Sequence, residues 1–168
     1  HVLQARFATP QRAAEAASHG AWHAARLGGS GVVTAPVAVN EAEGDFAVLS
    51  DRVLAGHGFR TSPDAHAELA RLTGREVVSL ELVDAHYYHL DTALAVLDST
   101  PGREQVAYFP PAFSEASRAE LERRYPDAVI ASERDAACLG LNAVSDGLNV
   151  VVAPGAVDLA AQLTDRGF

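Results

Sequence analysis

The sequence predicts an α/β fold made of repeated strand–strand–helix–strand units, incomplete at both ends. Three observations carry this. Apolar residues switch repeatedly between the alternation of a half-buried strand and the spacing of an amphipathic helix. Hairpin-like segments start near residues 46, 92 and 142, and a repeat of about 50 residues marks a modular architecture. A helix and a further strand follow each of the first two hairpins, and the third is followed by a helix alone. One hairpin and one helix cannot bury an apolar face by themselves, so neighbouring units must pack together.

The elements follow in order. "VLQARF" (2–7) opens as a strand. Thr9 and Pro10 then read as cap and first position of a helix through "QRAAEAASHGAWHAARLG", stopped by Gly28 and Gly29. "GVVTAPVAV" is the next strand. "FAVLSDRVLAG" is a hairpin turning at Ser50–Asp51. It leads to a helix opened by Ser62-Pro63 and closed by Gly74, and to the strand "EVVSLELV". "TALAVLDSTPGREQVAYF" is a hairpin with a longer turn. The helix "SEASRAELERRYP" carries Ser117 and Glu120 at capping-box spacing, and "AVIAS" returns as a strand. "NAVSDGLNVVVAP" turns at Asp146-Gly147, and "AVDLAAQLTDRG" is the last helix.

With 168 residues, 48% hydrophobic and 21% charged, the chain has the composition of one globular domain with a real core. A net charge of −9 disfavours nucleic acid and anionic membrane surfaces and suits a cationic small molecule. The single cysteine, Cys138, excludes an internal disulfide and a cysteine-rich zinc site, and suits a reducing compartment such as the cytoplasm. There is neither a long apolar run nor a signal-peptide pattern, and no methionine.

Two stretches concentrate chemistry. In "YYHLDTALAVLD", His89 precedes Asp91 by two residues at the mouth of a strand. On extended backbone both side chains share a face, and an imidazole beside a carboxylate is a tunable acid/base. In "VNEAEGDF", Glu41, Glu43 and Asp45 alternate, so an extended segment would aim all three one way. Such a trio can bind a hard metal or clamp a guanidinium, and it can equally be a solvated acidic turn. Arg60 stands before a helix start, as a fork for a substrate carboxylate or as a surface charge. His19 with His23 and His86 with His89 have spacings that can bind zinc. The first pair lacks the glutamate of a zinc-protease helix, and a solvated face accounts for it better. Cys138 lies among small apolar residues and reads as an inert thiol.

Taken together, His89-Leu90-Asp91-Thr92, Glu41-Ala42-Glu43-Gly44-Asp45 and Arg60-Thr61 resemble, in order, three motifs of the guanidine-modifying enzymes of the pentein superfamily. These are the dimethylargininases, arginine deiminases and glycine amidinotransferases. The stretches are H-L-D-T or H-L-K-T/S, E-G-x-G-D, and R-T before a helix, with Ala42 standing where the family has glycine. The wording, including "LGLNAVSDG", is most similar to bacterial dimethylargininases and runs through nearly the whole chain.

The resemblance implies a pentein α/β propeller of five ββαβ units, of which residues 1–168 would be a single, partial catalytic domain. It implies that His89 is the general acid/base and that Glu41 orients it or grips the guanidinium, with Glu43 second in line. Asp91 would bind guanidinium nitrogens, Asp45 would belong to the substrate site, and Arg60 would hold an α-carboxylate. Asp91 follows the deiminase and amidinotransferase pattern, whereas dimethylargininases commonly carry lysine there. The implied activity is hydrolysis of arginine or a methylated arginine to citrulline through a cysteine-bound intermediate, with no cofactor or metal, and the family leaves room for a homodimer. Residues 150–168 contain no G-G-x-x-x-C loop, and the family's early substrate-gripping module would precede His1. The chain therefore reads as the middle of such an enzyme, inactive alone. Amidino transfer to an amine, or a non-catalytic binding protein on the same fold, are the alternatives.

Overall fold

The computed structural model of the protein describes all 168 residues. The chain opens with β1 (Val2–Leu3), α1 (Ala13–Leu27) and β2 (Val33–Thr34), the two strands running parallel. The expected strand over 2–7 keeps ladder bonds beyond Leu3. Gln4 N–H donates to the Thr34 carbonyl at 3.0 Å, and Arg6 pairs with Asn40 in an isolated antiparallel bridge. Pro10 begins a 3-10 turn that runs into α1, and the helix ends where Gly28 takes φ +53°.

Two complete units follow. β3 (Phe46–Val48) pairs antiparallel with β4 (Arg52–His57), α2 (Pro63–Thr73) crosses over, and β5 (Glu76–Glu81) returns parallel to β4. A single helical turn, α3 (Leu90–Ala93), then leads into β6 (Leu94–Asp98). β6 pairs antiparallel with β7 (Gln105–Tyr108), α4 (Glu115–Arg124) crosses over, and β8 (Val129–Ile130) lies parallel to β7. The repeat is thus visible as identical pairing, with strand orders β3-β4-β5 and β6-β7-β8. After α5 (Glu133–Ala137), the hairpin β9 (Val144–Ser145) and β10 (Val150–Val151) and the helix α6 (Val157–Asp165) give the first three elements of another unit.

The middle strand of each full unit is the most deeply buried. Val53, Leu54 and Ala55 in β4 and Val106, Ala107 and Tyr108 in β7 are almost wholly removed from solvent. β5 alternates, burying Val78 and Leu80, and each fully buried leucine contributes about 1.5–3 kcal/mol. A cluster of 26 buried residues runs from Leu49 to Leu163 and joins the two units, and a second of five, Phe46, Val53, Ala55, Ala65 and Leu69, lies between the β3-β4-β5 sheet and α2.

Four separate sheets form, and the mixed α/β repeat is present in the two full units. The sequence and the structure part company at four places. Residues 41–45 are not extended: Ala42–Gly44 is a 3-10 turn. His89 and Asp91 do not stand at the start of a strand, because His89 precedes the helical turn α3 and the strand begins at Leu94. α4 is capped by Ser114, whose side chain accepts from Ser117 N–H, so Ser117 lies inside the helix rather than at its cap. Helix α5 was not expected at all. Its Asp135 is fully buried and accepts from Asp158 and Leu159 N–H, capping α6 from 23 and 24 residues away. No helix is long and apolar enough to cross a membrane.

Candidate active site

The turn at 41–45 sets the geometry of the site. Asn40 is fully buried; its amide donates to the Gln4 carbonyl at 3.2 Å, and its Oδ1 accepts from Ala42 N–H at 3.1 Å. Ala42 takes φ +51°, a left-handed conformation that L side chains disfavour. The turn separates the acidic trio. Glu41 and Asp45 are buried with different partners, while Glu43 is exposed. The shared face that an extended segment would have given them is absent.

Asp45 lies against His89. Its Oδ2 is 3.3 Å from His89 Nδ1 and accepts from the Thr61 hydroxyl at 2.6 Å, and its Oδ1 accepts from Leu90 N–H at 3.0 Å. Nδ1 is buried and makes no hydrogen bond, and Asp45 is the carboxylate that lies within 4 Å of it. His89 Nε2 makes no hydrogen bond to protein and is not among the sealed polar atoms, so it is the free edge of the ring. Gly56 makes this packing feasible. A Cβ there would sit 2.8 Å from Leu90 Cβ and 3.4 Å from Asp45 Oδ1.

Glu41 is turned toward cations. Its side chain is fully buried and accepts from Ala8 N–H at 3.0 Å and from Arg12 Nη1 at 3.4 Å, with Arg60 Nη1 3.7 Å away. Arg60 stacks on Tyr88 at 4.8 Å from the ring centroid, and Tyr88 in turn meets the His89 ring at 4.8 Å. Asp91 is half-buried, and burial above all holds its carboxyl above the ordinary range; nearby Asp45 and Glu43 push the same way, against His89. Glu41, Glu43, His89 and Asp91 line one cleft of about 490 Å³, with Arg12 on its wall. A larger groove of about 1110 Å³ shares Glu43 and Asp91 and continues over apolar residues. Three carboxylates and one guanidinium group lining so small a space leave an excess of negative charge, which favours a planar cation with several N–H donors.

The other candidates lie elsewhere. His86 is exposed and pairs with Asp84 at 2.9 Å, away from His89. His19 and His23 of α1 border the cleft, the first exposed and the second half-buried. No group of three or more His, Cys, Asp or Glu side chains is placed to hold a metal ion. Cys138 is half-buried, donates to the Asp135 carbonyl at 3.2 Å and lines neither cleft nor groove. Sequence reasoning singled out neither Arg12 nor Tyr88, and it used Thr61 only as a motif letter. The position of Thr61 beside Arg60, just ahead of a helix, was the available signal.

No family model matches the chain. The N(G),N(G)-dimethylarginine dimethylaminohydrolase of Mycobacterium tuberculosis is 51% identical over 167 residues, covering 99% of this chain and 53% of the relative. The bifunctional arginine dihydrolase/ornithine cyclodeaminase ArgZ of Synechocystis sp. is 35% identical over 132 residues, covering 75% of this chain and 18% of the relative. The N-terminal domain of ArgZ has been solved bound to substrate and covalently bonded to a reaction intermediate. Both structures match with a TM-score of 0.85, at 31% and 32% identity, over 99% of this chain and 61% of that one. The chain spans about half the length of the mycobacterial relative and less of ArgZ. Two of the three motif stretches line one cleft and the third, Arg60-Thr61, lies against Glu41 and Asp45; with similarity running the length of the chain, this chain belongs to the pentein superfamily.

Proposed function

We propose that the protein containing this chain is an amidinohydrolase that opens the guanidinium carbon of arginine or a methylated arginine and releases citrulline. The observation that carries the reading is the pairing of His89 with buried Asp45 at the edge of a cleft rich in carboxylates. Asp91 and Glu43 are the groups proposed to grip guanidinium N–H donors. Glu41 is proposed to hold the Arg12–Arg60 side of the cleft, and Arg60 to meet the substrate carboxylate, with Tyr88 steadying its plane. Asp45 is proposed to act through His89 rather than on the substrate, since its side chain is 1% exposed.

In this reading a cysteine thiolate attacks the guanidinium carbon, and the C–N bond breaks as His89 gives its proton to the departing amine. Water then attacks the thiouronium carbon and His89 takes its proton. The C–S bond breaks, regenerating the thiolate and leaving citrulline. Cys138 lines neither the cleft nor the groove, so the thiolate is proposed to come from outside residues 1–168, in a partial catalytic domain inactive alone. In a five-unit pentein ring, the two full units described here and the partial ones flanking them would contribute the wall that carries the acid/base.

The test is citrulline release from arginine and from dimethylarginine by the full-length protein and by its His89→Ala variant. General acid/base catalysis is worth about 10²- to 10⁴-fold, and a loss of that size in kcat is expected. Equal rates in the two proteins would remove His89 from the chemistry, and absence of citrulline from either substrate would refute the hydrolase reading.

A further inference from the structure

We infer that Thr61 is a positioning residue for His89, acting through Asp45, so that the acid/base is held by a chain of three side chains rather than by a carboxylate alone. The inference deepens the proposed function and rests on His89 being the acid/base.

The argument is one of hydrogen-bond direction. A threonine hydroxyl has a single proton. Glu41 N–H donates to Thr61 Oγ1 at 3.0 Å, which occupies an oxygen lone pair, and Asp45 Oδ2 lies 2.6 Å from the same oxygen. A carboxylate only accepts, so the hydroxyl proton points at Asp45. Leu90 N–H fixes the other carboxylate oxygen. Asp45 thus cannot turn about its own axis, and the acceptor offered to His89 Nδ1 stays in one place. Thr61 and Asp45 are both buried, so water does not replace either bond.

The consequence is a tautomer. Free neutral histidine prefers its proton on Nε2. An anionic acceptor held beside Nδ1 reverses this and leaves Nε2 to accept a proton in the cleft. The other charged or titratable groups of the same cleft are Glu41, Glu43, Asp91, Arg12, His19 and His23, with Tyr88 beside the ring and Arg60 behind Tyr88. Of these only Glu41 is hydrogen-bonded to Thr61, and through its backbone N–H rather than its carboxylate.

Thr61→Val keeps the shape and removes the hydroxyl; Thr61→Ser keeps the hydroxyl. In the full-length protein, ¹⁵N shifts of the neutral form of the ring, the form that takes the proton from water, should report Nδ1–H for wild type and Thr61→Ser, and a shift toward Nε2–H in Thr61→Val. Citrulline kcat should fall about ten-fold or more in Thr61→Val with KM within two-fold, and return in Thr61→Ser. Thr61→Ala, which adds no methyl against Asp45, should give the same tautomer shift and serves if the valine variant does not fold. Unchanged tautomer populations in Thr61→Val or Thr61→Ala would overturn the inference. The shifts are read without turnover, so a protein with no citrulline activity would defeat the hydrolase reading while leaving the Thr61 result to stand or fall by itself.

Discussion

Replacing Ala42 by glycine should stabilise the protein. Ala42 is held at φ +51°, where an L side chain costs about 1–2 kcal/mol that glycine does not. Glycine also loosens the unfolded chain, which offsets about 0.4–1 kcal/mol. The net gain is about 0.5–1 kcal/mol. The conformation is not free to relax in the alanine protein: Asn40 Oδ1 holds Ala42 N–H at 3.1 Å, and Asp45 N–H holds the Ala42 carbonyl at 3.0 Å. Urea unfolding is the assay, and with a slope of about 1–3 kcal/mol/M the midpoint should rise by a few tenths molar with the slope unchanged. Ala42→Val, β-branched at the same positive φ, should lower the midpoint. A glycine variant no more stable than wild type, at equal slope, would show that the turn does not carry this strain.

Asp135→Ala should cost about 2 kcal/mol by urea unfolding, the upper range for losing a helix cap. α6 has no side-chain cap of its own, and Ser132 and two α6 amides all lose their acceptor. His66 should make the protein less stable in mild acid. Its Nε2 faces the Gly56 carbonyl and its Nδ1 the Ser79 hydroxyl, and burial lowers its pKa in the folded state. Below about pH 6.5 the unfolded chain therefore binds the proton that the folded one refuses, and stability declines by up to about 1.4 kcal/mol per pH unit. The decline between pH 6.5 and 5.5 should be smaller in His66→Gln.

What could be read from the sequence was local. Helix α2 has Pro63 at its first position and Gly74 at φ +69° just past its end, and both signals stand in the sequence beside the element they bound. The hairpins are equally legible, since Asp146 accepts from Leu148 and Asn149 N–H and Gly147 takes φ +91° at the turn. α5 and its capping of α6 were not legible, because the bonds that justify Asp135 arise 23 and 24 residues downstream. α3 is a single turn inserted ahead of a strand pattern, too short to impose a helical period on "HLDTALAVLD". It alters the site all the same: His89 and Asp91 still border one cleft, but across a helical turn rather than along one face of a strand.

The turn at 41–45 is the most consequential case. Alternation made Glu41, Glu43 and Asp45 equivalent, three charges to be used together. With alanine where a left-handed residue is needed, the sequence lacked the glycine that would have announced a turn. Folding makes them inequivalent by giving each a different set of donors. Glu41 takes Ala8 N–H and the arginines, Asp45 takes Thr61 and Leu90 and sits beside the imidazole, and Glu43 stays in the cleft. Three like charges on one face would repel and raise each other's proton affinity. Distributing them lets Asp45 remain an acceptor for His89 while Glu43 and Asp91 remain open to a cation. A strained alanine at the pivot is consistent with that division, since a local cost persists only where the surrounding bonds over-determine the conformation.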